Sequence, residues 1–222
     1  MKQKINPEIF FLLSSITLVI VGYVWFISYG YWTNWNPSTY FYDELATAFS
    51  HGSLALEVDV NQELLSLNDP YNPYKRKEIS YPLDYSLYNG RYYLYFGPVP
   101  ALFLVVLKFI GFGIIGDHPL TFAFVCGMFI FEVLIILHIQ KVFFRNIPDW
   151  VIWLCILFVG LASPTAWLLT DARVYEVALA AGQTFFLAGF YFNLTSISKD
   201  TISLKRLLIG GILWSFAIGS RL

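Results

Sequence analysis

Residues 97–115 read Gly97-Pro98-Val99-Pro100-Ala101-Leu102-Phe103-Leu104-Val105-Val106-Leu107-Lys108-Phe109-Ile110-Gly111-Phe112-Gly113-Ile114-Ile115. By length and apolarity this block is a membrane span, because about twenty apolar residues cross a bilayer. Its details point the other way. Pro98 and Pro100 restrict its start, Gly111 and Gly113 break its end, and Lys108 stands among the apolar residues. Whether the block crosses decides the side on which every later residue lies.

The rest of the chain indicates a membrane protein. Of 222 residues 57% are hydrophobic and only 13% charged, with a mean hydropathy of +0.60. Soluble domains carry roughly 25% charged residues. Lipid tolerates this much apolar surface where water does not. The aromatic share of 19% suits wide interfacial zones of Trp and Tyr. A net charge of −1, with neither a basic patch nor a Gly-rich phosphate loop, gives no support for nucleic-acid binding. Cys126 and Cys155 fall in apolar runs and read as small core hydrophobes, with no disulfide framework. His51, His118 and His138 are scattered and form no ligand cluster. No cofactor is implied, and a divalent metal stays an open requirement.

Lys2 and Lys4 precede an apolar run from Ile9 to Tyr29, too long for a signal core and without a small-x-small cleavage site. It reads as an uncleaved first span with its lysines in the cytoplasm. Further apolar blocks cover 119–143, 150–169, 175–194 and 206–222. If 97–115 also crosses, Lys141, Arg145, Lys199, Lys205 and Arg206 all lie outside. If it lies in the interface or dips in and returns, they join Lys2 and Lys4 in the cytoplasm. Basic loops favour that side, so the second arrangement is the expected one.

The expected fold is therefore an all-α membrane protein of about five transmembrane helices, with a long first extracytoplasmic loop containing short amphipathic or interfacial helices. Residues 1–29 form the cytoplasmic tip and first helix, 30–118 the outer loop, and 119–222 a helical bundle. The abrupt ending Gly219-Ser220-Arg221-Leu222 suggests a bundle truncated at its C-terminus. Within the loop, residues 43–51 read as an amphipathic helix ended by Gly52, and 60–67 as another. Asn89-Gly90 between Tyr-rich runs is a two-residue hairpin signal that pairs 84–88 with 91–96.

The residues that can carry chemistry gather on the outer side. Asp43 and Glu44 are either carboxylates facing the positive end of a helix or a general base or metal ligand facing a membrane-level cleft. Asp84 and Arg91 stand in a stretch with six tyrosines, Tyr92 and Tyr95 among them. That stretch is an interfacial belt, or a platform on which aromatic faces stack on sugar C–H surfaces while Asp and Arg fix hydroxyls or phosphate. Asp171, Arg173 and Glu176 share a turn between spans: a solvated turn with an Arg173–Glu176 pair, or a phosphate site. Arg221 snorkels to headgroups or holds a lipid phosphate. Glu132 lies within a span, where a carboxylate is expensive; it makes a structural hydrogen bond or serves a proton or ion pathway. Asn193-Leu194-Thr195 is a glycosylation sequon that this topology leaves in the cytoplasm.

The stretch Tyr88-Asn89-Gly90-Arg91-Tyr92-Tyr93-Leu94-Tyr95-Phe96-Gly97-Pro98-Val99-Pro100-Ala101-Leu102 resembles a motif of bacterial membrane proteins of the GT-C superfamily of glycosyltransferases. Leu45–Gly52, Arg173-Val174-Tyr175-Glu176 and Gly219-Ser220-Arg221 are similar to further segments of that group. The resemblance extends over nearly the whole chain and corresponds to the N-terminal part of such a protein. It implies transfer of a sugar from a polyprenyl-phosphate donor, at a multi-pass cell-membrane protein with its N-terminus in the cytoplasm. A carboxylate of the first outer loop, Asp43, Glu44 or Asp84, would deprotonate the acceptor. Arg91, Arg173 and Arg221 would hold the lipid phosphate. The usual acidic pair of that superfamily falls here on Asn36-Pro37, and Asp43 and Glu44 come later. Two other functions stay open: a non-catalytic binder of lipid-linked glycans that assists envelope polymer assembly, and a transporter centred on Glu132. A transporter usually shows paired repeats with broken helices, and the sequence has no such repeat.

Overall fold

A computed structural model describes residues 7–35, 39–162, 164–197 and 201–221. Lys2, Lys4, Asn36-Pro37 and Lys199, which entered the topology and motif arguments, lie outside the described residues. The fold is mostly helical. In chain order the elements are α1 (Pro7–Ile27), α2 (Phe41–Ser50), α3 (Gln62–Ser66), β1 (Tyr85–Tyr88), β2 (Arg91–Leu94), α4 (Val99–Phe109), α5 (Asp117–Phe143), α6 (Asp149–Ala162), α7 (Thr165–Thr170), α8 (Val174–Ser196) and α9 (Leu204–Gly219).

Among the described residues, three helices are long and apolar enough to cross a membrane: α1 over Ile9–Ile27, α5 and α8. The block at 150–169 is not one helix. Pro164 has no N–H to continue the ladder, and the chain breaks there into α6 of 14 residues and α7 of 6. Helix α9 has 16 residues, a little under the usual spanning length, but its ends reach both ends of α8 through Arg206–Thr195 and Arg221–Tyr175. Cys126 is half-buried, but Cys155 is exposed on α6, so only the first behaves as a core residue.

Ring and hydrogen-bond contacts fix the helix directions. Thr184 Oγ1 on α8 donates to Phe124 O at 2.6 Å, and Phe131 meets Tyr191, so α5 and α8 run parallel. Trp214 on α9 donates to Phe186 O at 3.2 Å, while Arg221 reaches Tyr175, so α9 runs back along α8. Phe11 stacks on Trp153, and a side chain at Gly160 would fall 2.7 Å from Val19 Cγ1; α1 and α6 are parallel and in close contact. Such small residues let helices approach where the driving force is packing alone. Tyr23 on α1 meets Phe129 on α5 and donates its hydroxyl to Gly160 O at 2.9 Å.

One end of this bundle therefore collects the end of α1, the starts of α5 and α8, and the end of α9. The segment between α1 and α5 packs there, so we call it the loop end. Lys141, Arg145, Lys205 and Arg206 sit at the opposite end. There Arg206 Nη1 donates to Thr195 O at 2.7 Å, and Arg145 Nε to Lys141 O at 3.1 Å.

The loop has its own small core. Asn89 and Gly90 adopt φ of 47° and 71°, the left-handed pair of a type I′ turn. The turn sets β1 antiparallel to β2 with Tyr85 opposite Leu94 and Leu87 opposite Tyr92. Tyr92 is buried and its carbonyl accepts from Leu56 N–H at 2.8 Å. Helix α2 ends as its sequence requires, with Gly52 at φ 74°. It packs on α4. Asn61 caps α3, accepting from Glu63 N–H at 3.0 Å.

Helix α4 has both ends at the loop end. Gly97, just before it, presses on the last turn of α9. Beyond it, Ile115 N–H donates to Asp43 at 3.0 Å, and Asp117 N–H donates to Thr39 O at 3.0 Å. With 11 residues, about 16 Å of helix, α4 runs between these anchors, packed on α2 and with Phe103 stacked on Phe185 of α8 at 5.2 Å.

Candidate functional site

Asp43 is buried on α2. Lys108 Nζ lies 2.9 Å from its carboxylate and Ile115 N–H donates to it at 3.0 Å. These bonds tie α2 to the return of α4. A carboxylate so occupied takes a proton from a substrate only after Lys108 has moved away. Glu44, half-buried, accepts a hydrogen bond from the Tyr85 hydroxyl. Burial raises its pKa, the Tyr85 hydrogen bond opposes that, and the charge of Asp43 adds to it. Burial also raises the pKa of Tyr85, and the Glu44 hydrogen bond and charge add to this, so the pair is a tyrosine donor on a carboxylate acceptor.

Asp84 precedes β1 and is half-buried. It accepts from Tyr95 Oη at 3.2 Å. Burial is the first cause raising the Tyr95 pKa, and Asp84 supports it by charge and hydrogen bond. From Tyr95 the contacts run on. Its ring stacks on Phe96 at 4.3 Å, Phe96 meets Tyr175 edge-on at 6.3 Å, and Arg221 Nη2 donates to Tyr175 Oη at 3.2 Å. The Arg221 guanidinium also lies 5.8 Å from the Tyr175 ring centre. The hairpin, the α7–α8 turn and the end of α9, named separately in the sequence, thus form one surface. Asp43 and Glu44 belong to its support, beneath β1.

In the turn, Arg173 Nε donates to Asp171 Oδ1 at 2.8 Å, both exposed. Glu176 does not pair with the Arg173 side chain. Its carboxylate accepts the Arg173 backbone N–H at 3.2 Å, the return half of a capping box on α8. This bond closes the first turn of α8. Arg91 is exposed across from Tyr88 on the outward face of the hairpin, where Tyr88 meets Tyr93. Tyr92 points the other way, into the core, so its ring supports the platform and is not part of its surface.

Sequence reasoning missed Asp117. Fully buried at the start of α5, it accepts from Thr39 Oγ1 at 2.5 Å, Phe41 N–H at 3.2 Å and Tyr42 N–H at 3.4 Å. It caps α2 from 75 residues away. Tyr85, which joins Glu44 to the hairpin, was also hidden among the tyrosines. Glu132 lies about 22 Å down α5 from its start, away from this surface. Its Oε2 is buried without a hydrogen-bond partner among the described residues.

Below Arg221 the surface opens into a groove between α8 and α9. It has a volume of about 530 Å³ and is lined by Leu179, Gly182, Gln183, Phe186, Ala217, Ile218 and Arg221. Positions 179, 182, 183 and 186 form one stripe of α8, so the groove follows the helix with the cation at its loop end. Among the described residues no group of three or more His, Cys, Asp or Glu is placed to hold a metal ion. No family model matches the chain, and neither a curated protein nor a solved structure matches it.

Proposed function

We propose that the chain is a multi-pass cell-membrane protein with five crossings: α1, α5, the broken pair α6–α7, α8 and α9. Its N-terminus is cytoplasmic and its loop end extracytoplasmic. The basic far end supports this orientation. Helix α4, anchored at both ends to the loop end, is interfacial.

At the loop end the protein binds a polyprenyl-phosphate-linked sugar and acts as a GT-C-like glycosyltransferase. The observation that carries this reading is Arg221, hydrogen-bonded to Tyr175 at the head of an apolar groove and joined through aromatic contacts to the Asp84–Tyr95 pair. A cation at the mouth of an apolar groove fits a phosphate on a hydrocarbon chain, and a tyrosine-lined carboxylate beside it fits a sugar. Asp84 is the better base than Asp43, whose carboxylate Lys108 and Ile115 occupy. The acceptor hydroxyl gives its proton to Asp84 and its oxygen attacks the anomeric carbon. The bond from that carbon to the phosphate oxygen breaks, and polyprenyl phosphate leaves with its charge held by Arg221, supported by Arg173.

The test uses membranes containing the chain, supplied with polyprenyl-phosphate-linked radiolabelled hexose. The expected result is transfer of label that Asp84→Asn abolishes while lipid binding stays, and loss of both in Arg221→Ala. Transfer at the wild-type rate in Asp84→Asn overturns the base assignment. Lipid binding without transfer by the wild type supports the second reading, a non-catalytic binder of lipid-linked glycans.

A further inference from the structure

The β2–α4 elbow and the end of α9 meet backbone to backbone. A methyl group on Gly97 would lie 2.5 Å from the carbonyl carbon of Ser220 and 2.7 Å from the amide nitrogen of Arg221. Backbone atoms cannot turn aside as a flexible side chain does. From the other side, a methyl group on Gly219 would meet Val99 Cγ2 at 2.9 Å and, beyond its own helix backbone and chain neighbours, no other described atom within 4 Å. Ser220 is fully buried beneath the elbow and donates its hydroxyl to Phe216 O at 2.7 Å, which closes the last turn of α9.

The consequence concerns the residues on either side. Gly97 follows Tyr95 and Phe96, which lead to Asp84 and Tyr175. Gly219 precedes Arg221. The glycine contact therefore sets where the Arg221 backbone stands relative to the hairpin. Among the described residues the guanidinium makes a single hydrogen bond, to Tyr175, and it is exposed. Its side chain is long and free to wander, so its place over the groove depends on where its backbone is held.

We propose that Gly97 and Gly219 form a seat that positions Arg221 for the phosphate of its lipid ligand, and that these glycines are positioning residues of the site. This rests on the reading of Arg221 as the phosphate contact. The seat acts through geometry alone: neither glycine touches the ligand, and both hold the residue that does.

The experiment compares binding of farnesyl phosphate and of farnesol to the full chain in detergent micelles. The variants are Gly97→Ala, Gly219→Ala, Val99→Ala, the double variants Gly219→Ala/Val99→Ala and Gly97→Ala/Val99→Ala, and Arg221→Ala. Both glycine variants are expected to weaken farnesyl phosphate binding about tenfold, the worth of roughly one charge-assisted hydrogen bond, and to leave farnesol binding unchanged. Val99→Ala removes the side chain that a methyl at position 219 strikes, so it restores Gly219→Ala. It cannot restore Gly97→Ala, whose clash is with backbone. A general loss of packing would weaken both ligands alike and show no such asymmetry. Wild-type phosphate binding in both glycine variants, with Arg221→Ala still weakened, overturns the seat and leaves the phosphate reading standing. Rescue of both glycine variants by Val99→Ala, or of neither, also overturns it. Wild-type binding by Arg221→Ala overturns the phosphate reading itself. If Gly97→Ala fails to fold, as circular dichroism would report, Gly219→Ala and its double variant decide the matter.

Discussion

Lys108 reaches back 65 residues to place its ammonium 2.9 Å from the carboxylate of Asp43. The lysine that made 97–115 a doubtful span is the partner of the aspartate that looked like a base. Their side chains are 19% and 8% exposed, so the pair is shielded from water and screened little by salt. Removing one partner of such a pair strands the other charge. Asp43→Asn and Lys108→Met are each expected to destabilise the protein by about 3 kcal/mol, and the double variant by much less than the sum. Denaturation in detergent, arranged as a double-mutant cycle, measures this. The double variant also separates structure from chemistry: if Asp84 is the base of the proposed transfer, the double variant is expected to keep that activity.

Glu44 gives the loop a pH dependence. Burial, the largest cause, raises its folded pKa above the unfolded value, against the opposing Tyr85 hydrogen bond. A raised carboxylate pKa means that the folded state holds the proton more tightly. Its stabilising contribution is present below the unfolded pKa and is lost as pH rises through the folded one. The wild type is therefore expected to lose loop stability as the pH rises above about 4.5, the ordinary glutamate range, and Glu44→Gln to flatten that slope. Limited proteolysis between α3 and β1 across that pH range reads the effect. An unchanged slope in the variant assigns the dependence to another group.

The sequence was most informative where a local pattern fixes a local structure. Gly52 ended α2 and Asn89-Gly90 made the hairpin turn. It was least informative where a side chain acts at long range. Asp117 went unnoticed in the sequence, yet its oxygens cap α2 from the start of α5. Nothing in the spacing of Asp43 and Lys108 marks them as partners. The Arg173–Glu176 spacing suggested an ion pair, but a backbone N–H lies nearer to the carboxylate than the guanidinium does. Pro164 was in plain view, and the apolar run around it hid the break between α6 and α7. The sequence named the hairpin, the turn and Arg221 separately; only folding brought them together.

The groove between α8 and α9 predicts a dependence on chain length. A side chain begun at Gly182 meets Ala217 O at 3.5 Å and Ser220 Cβ at 4.0 Å, ordinary contacts, so the position accepts a Cβ without strain. Gly182→Leu is expected to fill the groove while α8 and α9 stay packed. Long-chain polyprenyl phosphate should then bind about tenfold more weakly, while inorganic phosphate binding stays unchanged. Equal binding of the long-chain lipid by wild type and variant would place the hydrocarbon elsewhere.

In the proposed topology α4 stays on one side of the membrane, and Asp84, Tyr175 and Arg221 share the outer face. Leu83 precedes α4, Phe112 follows it and Phe144 ends α5; all three are exposed. Single cysteines at these positions, in a background where Cys126 and Cys155 are replaced by alanine, can be tested in intact cells with a membrane-impermeant maleimide. Labelling is expected at 83 and 112, and protection at 144 until the membrane is opened. Labelling of 83 with protection of 112 would contradict this topology.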